Sequence, residues 1–363
     1  MGGSNSAGDG AAADAAGTGG LDDAAQSQSA ALKLAKTRKR FDALRVLDGG
    51  LATQLEGGYK CDLNNSLWST RILENEPNLI FQAHRDFVNA GADLLITCTY
   101  QTSLQGFAHD EQRFERSLAT AVRVAQEAAD AGGAFRGVLV AGSLGPYGAA
   151  LAGGQEYTGI YELDAKTETA FLENWHLPRA KLLAPCVDLF AGETCPKIAE
   201  AIALTNLFAK LRTPGYVSFQ CKSGHELASG ETIADAVARL HFSDYLLGIG
   251  VNCTKVEFVE SLIQEIGRAL DKQEQRMAPV LGSEKTFVRP RILVYPNSGE
   301  EYDATTKTWH MPEYCTEDVA TTYVDYAHRW FAAGAQCVGG CCRVLPSHIK
   351  AVRDSDDGAQ KSQ

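Results

Sequence analysis

The sequence predicts a parallel α/β barrel of eight strand–helix units, a (βα)8 TIM barrel, and three observations carry that expectation. Eight short β-branched or aliphatic runs recur from residue 43 onward, each is followed by a longer stretch with helical spacing, and each run ends in polar side chains. Continuous apolar strands alternating with amphipathic helices call for a parallel sheet covered by helices. Polar groups after every run suit a barrel, whose site is assembled from many strand ends. An open doubly wound sheet, the alternative, gathers its ligand at one crevice and usually shows a Gly-rich phosphate loop. No GxGxxG or Walker pattern occurs here.

Taken in order, the runs are 44–47, 93–97, 138–141, 187–191, 216–220, 246–251, 291–295 and 336–338. They end respectively at Asp48, Thr97-Cys98-Thr99, Ser143, Glu193-Thr194, Gln220-Cys221, Asn252-Cys253, Asn297-Ser298 and Cys341-Cys342. Helices are expected over 77–90, 112–131, 164–183, 196–210, 231–241, 256–272 and 316–333, with a short closing one at 346–353. Residues 1–40 differ in composition: Gly, Ala, Ser and Asp dominate, no Lys or Arg precedes Lys33, and no hydrophobic period appears, so a disordered N-terminal tail is expected there. The barrel is assigned to residues 41–353, with a flexible tail over 354–363 and a polar, aperiodic insertion over 271–290 before the seventh strand.

Composition narrows the function. Of 363 residues 45% are hydrophobic and 22% charged, enough for a sizeable core, and the net charge of -11 argues against a nucleic-acid or anionic-membrane partner. No run of 18 or more apolar residues occurs and the N-terminus lacks a secretory pattern, so a cytoplasmic protein is expected. Ten cysteines in such a setting are expected as reduced thiols, most of them small buried hydrophobes.

Cys341 and Cys342 end the eighth run and Cys253 the sixth, which places three thiols on one rim, two strands apart. Adjacent strand residues point to opposite faces, so Cys341 and Cys342 converge only if the chain turns sharply, which Gly339 and Gly340 permit. Three thiolates suit Zn²⁺ and leave a fourth position open. By spacing alone, core cysteines are an equal reading, because the gap of 88 residues to Cys253 matches no zinc-finger signature.

Seven ordered pieces, Leu47-Asp-Gly-Gly-Leu-Ala-Thr-Gln-Leu-Glu56, Ala90-Gly-Ala-Asp-Leu-Leu-Ile-Thr-Cys-Thr-Tyr-Gln-Thr-Ser103, Gly142-Ser-Leu-Gly-Pro-Tyr-Gly-Ala149, Glu156-Tyr-Thr-Gly159, Val251-Asn-Cys253, Tyr295-Pro-Asn-Ser-Gly-Glu300 and Gly339-Gly-Cys-Cys-Arg343, together resemble the homocysteine S-methyltransferase family. The resemblance spans roughly residues 43–353. It implies a homocysteine-binding barrel enzyme holding one zinc ion per chain on Cys253, Cys341 and Cys342, and moving a methyl group to L-homocysteine to form methionine. Asp48 and Glu193 are then the acids for the substrate ammonium, with Gly49 and Asn252 of the same motifs joining the substrate-binding set. Trp68, Tyr100 and Tyr157 are candidate donor contacts through cation–π attraction. Cys195 departs from the aliphatic residue frequent in the family and reads either as filler or as a spare thiol. S-methylmethionine is the first choice of donor, S-adenosylmethionine the second and betaine the third. A selenocysteine-type acceptor and a non-catalytic zinc- or thiol-binding barrel stay open. No catalytic side chain is expected beyond the metal-activated substrate thiolate, and oligomeric state is not legible.

Overall fold

Seven parallel strands form one curled, barrel-like sheet in the order β1 (Leu94–Ile96), β2 (Leu139–Leu144), β3 (Leu189–Cys195), β4 (Gly215–Phe219), β5 (Leu246–Asn252), β6 (Arg291–Tyr295) and β9 (Cys337–Val338). A separate antiparallel hairpin, β7 (Glu301–Asp303) with β8 (Thr308–His310), lies between β6 and β9 in the chain. The computed structural model describes residues 19–61, 68–132, 137–281, 287–303, 308–310 and 319–361.

The eighth expected strand, at 44–47, is the main difference from the predicted closed barrel. This segment lies between the two edge strands and pairs with each by a single parallel bridge, Val46 to Val338 and Leu47 to Leu94. It runs directly into Gly49-Gly50 and the helix Leu51–Tyr59, and its pairing stops at these two bridges. The other seven runs were legible because both faces of these strands are buried: β2, β3 and β5 are buried at every position. Leu94, Leu139, Leu189 and Leu293 fill the inside of the curl, while Leu95, Val140, Phe190 and Val217 pack outward under the helices.

Helices fall close to the expected spans where their ends carry local signals. Pro77 opens the helix Pro77–Ala90 at its first turn, and Gly91, at φ 108°, ends it. Asp110 caps Glu111–Ala131 by accepting from the Arg113 N–H at 3.0 Å, and Thr232 caps Ile233–Arg239 by accepting from the Asp235 N–H at 3.1 Å. Among the described residues no helix is long and apolar enough to cross a membrane.

Three expected irregular segments are corrected. The helix from Val256 runs on into the first half of the expected insertion, to Leu281, with Gln273 buried; residues 282–286 lie outside the described residues and 287–290 are irregular as expected. The expected C-terminal tail is instead the end of a helix, Pro346–Lys361, whose Asp356 is 6% exposed and pairs with Arg45 at 2.6 Å. Of the expected N-terminal tail, residues 1–18 lie outside the described residues and the remainder is helical, from Gly19 to Asp42. Its last turns dock on the end of the sheet opposite the polar strand ends. Lys33 Nζ donates to Ala184 O at 2.8 Å, Arg38 Nη2 to Asp244 O at 2.5 Å and Arg40 Nη1 to Asp188 Oδ1 at 3.1 Å, while Phe41, fully buried, packs on Tyr216. Apart from Phe41, these anchors are charged side chains reaching for carbonyls and a carboxylate, which add nothing to a hydrophobic period in the sequence. Deleting residues 1–40 is therefore expected to lower stability by about 2–4 kcal/mol, read as a fall in melting temperature. An unchanged melting temperature would show that the docked helix contributes nothing.

Candidate active site

The polar ends of β1, β3, β5 and β6 meet the turns after residue 48 and after β9 around one cavity of roughly 290 Å³. Four cysteines (Cys98, Cys253, Cys341, Cys342), three carboxyls (Asp48, Glu156, Glu193) and three phenol rings (Tyr100, Tyr157, Tyr295) line it, and the last three cysteines stand together.

The thiols converge because the backbone after β9 turns while keeping its pairing. Gly339 N–H donates to Val294 O at 2.8 Å, Gly340 N–H to Asp48 O at 2.9 Å and Cys341 N–H to Pro296 O at 2.7 Å. Only glycine fits at Gly339, where a Cβ would stand 2.8 Å from the Asp48 carbonyl oxygen. Cys253 itself takes a left-handed φ of 48°, which turns it out of the line of β5. The three sulfurs consequently lie within 4.8 Å of one another. The Cys253 and Cys341 sulfurs stand in contact, close enough to pair, and Cys342 lies beside them. The same convergence that lets two sulfurs pair gives a soft, three-thiolate donor set when they are reduced, and that set fits a zinc-type cation. Burial pushes the Cys342 thiol up to about 11, so a cation is needed to hold it as thiolate.

Beside the thiols, Asp48 and Glu193 form a buried acidic pair. Asp48 is 3% exposed and its Oδ2 accepts from the Ile96 N–H at 2.8 Å. Burial, with a further contribution from the Glu193 charge, holds its carboxyl well above the ordinary range. Glu193 is 7% exposed and raised to about 7, again chiefly by burial, while hydrogen bonds from Ser143 and Tyr295 and the Arg179 charge work the other way. Two desolvated carboxyls that repel one another in one wall are stabilised by a cation placed between them.

Asn252 is buried beneath this wall, and it does not line the cavity. Its Oδ1 accepts from the Thr194 N–H and the Ser218 hydroxyl, both at 2.8 Å, and its Nδ2 donates to Thr194 Oγ1 at 2.7 Å. Thr194 sits at φ 58°, where β3 is irregular against β4, so Asn252 fixes the bend that presents Glu193. Gly49 lines the cavity next to Asp48, and Tyr100 and Tyr157 line it as expected. The Trp68 side chain lies outside the described residues, although its backbone opens the helix Trp68–Asn75. Cys195 is fully buried in the main core and donates to Gly192 O at 3.7 Å, the filler reading.

Several site-building residues were not singled out from sequence. Arg179, 2% exposed on the helix Glu168–Leu183, donates from Nη1 to the carbonyls of Thr99, Tyr100 and Thr102 at 3.1, 3.0 and 3.0 Å. Its Nη2 donates to Gly145 O at 2.8 Å and to His176 Nδ1 at 3.0 Å. His176 Nδ1 accepts, so Nε2 carries the proton and donates to Glu200 Oε1 at 2.9 Å, leaving the imidazole neutral. Burial lowers the His176 pKa and pulls Arg179 down to about 10, still a cation at neutral pH. This buried chain ties the loop after β1, which carries Tyr100 and Gln101, to the end of β2. A signal existed: His176 and Arg179 share a helical face with Leu172, Ala180 and Leu183, where charged residues have no solvated role.

Fold, thiol cluster and acidic wall together define a barrel-like α/β protein with a cysteine cluster able to hold a metal ion beside a buried acidic pair. The sequence model of the family described as homocysteine S-methyltransferase matches residues 45–355. The homocysteine S-methyltransferase YbgG of Bacillus subtilis is 37% identical over 321 residues, covering 85% of this chain and 93% of its own. A selenocysteine Se-methyltransferase of Brassica oleracea var. italica is 35% identical over 333 residues, covering 86% of this chain and 89% of its own. Among solved structures, the metallated form of the homocysteine methyltransferase MmuM from Escherichia coli superposes with a TM-score of 0.70 at 32% identity, covering 86% of this chain and 96% of that one. The chain belongs to the homocysteine S-methyltransferase family and is a methyltransferase.

Proposed function

We propose that this protein transfers a methyl group from a sulfonium donor, S-methylmethionine first and S-adenosylmethionine second, to the thiol of L-homocysteine, with one zinc ion on Cys253, Cys341 and Cys342. The observation that carries the reading is the meeting, in one cavity, of three thiols and a buried acidic pair. A zinc ion held by these thiols in their reduced state supplies the charge that ionises an alkyl thiol of pKa about 8.5 at neutral pH.

The chain's own residues do the rest. Asp48 and Glu193 receive the homocysteine ammonium, and that charge offsets their mutual repulsion and draws Glu193 fully into its ionised form. Ser143 and Tyr295 hold the Glu193 carboxylate from either side, and Asn252 fixes the bend below it. Arg179 fixes the loop that carries Tyr100. Leu51, Ala52 and Ile96 keep part of the wall apolar, which favours a reaction in which a sulfonium charge disappears. The acceptor sulfur attacks the methyl carbon, the donor carbon–sulfur bond breaks, and its electron pair leaves on a neutral thioether.

The test is direct. Reduced, zinc-supplied protein incubated with homocysteine and, separately, S-methylmethionine, S-adenosylmethionine or betaine is expected to form methionine fastest with the first. Selenocysteine in place of homocysteine asks whether the same wall serves the acceptor named for the Brassica relative. Methionine formed from betaine alone would overturn the sulfonium reading.

A further inference from the structure

The mechanism above uses two of the three carboxyls in the cavity and leaves Glu156 without a role. Glu156 lies on the short 3-10 turn Gln155–Tyr157, after β2, and its side chain lines the same cavity as the thiols. Its Oε2 is buried and has no hydrogen-bond partner among the described residues. Burial raises its carboxyl, opposed only by its own backbone N–H, so no cationic side chain balances it. A carboxylate withdrawn from water and left unpaired costs stability, and in a ligand cavity that cost is recovered when a cation binds. The acceptor's ammonium is already matched to Asp48 and Glu193, so the cation for Glu156 belongs to the other substrate.

The course of the reaction decides which cation. The reacting methyl and its sulfonium must lie against the acceptor sulfur, beside the thiols. Glu156 lines the same cavity but stands outside the thiol cluster, so the donor's unreacting end is the part left to meet it. A carboxylate set directly on the sulfonium would also favour the ground state over a transition state in which that charge is vanishing. A charge that does not change during transfer can be paired without raising the barrier.

We propose that Glu156 binds the α-ammonium group of an amino-acid sulfonium donor, and so selects donors with a second positive charge over donors, such as betaine, that have none. The assignment rests on the sulfonium reading given above. Uniform binding of this kind sets KM and leaves kcat alone.

The experiment compares the reduced, metal-supplied protein with its Glu156→Gln variant, using S-methylmethionine at saturating homocysteine. The variant is expected to show a donor KM at least about tenfold higher, with kcat within about twofold. Homocysteine KM and metal content should be unchanged, and the melting temperature of the ligand-free variant should be no lower than the parent's. Trimethylsulfonium, which carries no ammonium, serves as the second probe, read as a substrate or as a competitive inhibitor against S-methylmethionine. It should bind both proteins equally. An equal loss for both probes would place Glu156 at the sulfonium itself or make it structural, and no loss for either would remove it from donor binding. Both results overturn the assignment alone. If the unmodified protein transfers no methyl group from S-methylmethionine or S-adenosylmethionine, the donor reading falls and this assignment falls with it.

Discussion

Serine in place of Cys253, Cys341 or Cys342 is expected to remove most of the bound metal and to lower methyl transfer by about 10²-fold or more. A hydroxyl of similar size stays protonated where a thiol ionises, so each replacement takes one anionic donor from a set of three whose sulfurs lie within 4.8 Å. Two remaining thiolates bind a zinc-type ion weakly and leave it more exposed to water. Elemental analysis of protein purified under reducing conditions should give about one zinc per chain for the parent. Cys61→Ser and Cys195→Ser are the controls. Cys61 lies outside the cavity lining, and Cys195, the last residue of β3, is enclosed in the core, so neither should change metal content. Thiol titration under oxidising conditions adds a second reading, because Cys253 and Cys341 cannot be paired and bind metal together. Metal content that is the same in all five variants would refute the thiol assignment.

The chemistry of this site was legible in sequence to the extent that it sits at strand ends. Asp48, Glu193, Cys253, Cys341 and Cys342 each follow an apolar run, and parallel strands deliver whatever follows them to one rim. The run at 44–47 shows the limit of that reasoning: its composition is that of its neighbours, yet it makes only two bridges because the chain turns away at Gly49. The terminal helices escaped detection for another reason. Gly19–Asp42 and Pro346–Lys361 are held by Lys33, Arg40 and Asp356 reaching specific partners, and long-range polar contacts have no period. Arg179 is a sharper case. Its apolar helical face marks it as buried, but it meets Thr99 across 80 positions of sequence, and nothing local names that partner. Glu156 was inside a quoted motif, but its interest lies in having no partner, a property only the folded chain displays.

Glu193→Gln is expected to separate acceptor binding from metal binding and to remove the pH dependence that Glu193 imposes on stability. In the folded protein its carboxyl titrates at about 7, above the ordinary 4.5, chiefly because it is buried. Between those values the native state holds a proton that the unfolded chain has released. Stability from this group is therefore full below pH about 4.5 and is lost as pH rises through about 7, a loss of about 3 kcal/mol across the window. Glutamine does not titrate, so the melting temperature of the metal-free variant should gain on the parent across that window and hold a constant lead above it. Ligand binding should run the opposite way. L-methionine carries the acceptor's ammonium and no ionising thiol, and its affinity for the parent should rise as pH climbs through about 7. The variant should bind it weakly at every pH, by about 2–5 kcal/mol at pH 8, because the ammonium then meets a neutral amide in a desolvated wall. Zinc content should stay at the parental level. The desamino acceptor 4-mercaptobutyrate closes the argument: it never made the deleted contact, so its slow rate with the parent should fall little further in Glu193→Gln. Equal losses with homocysteine and with 4-mercaptobutyrate, or a loss of zinc, would show that Glu193 supports the fold of the site and that the ammonium is held elsewhere.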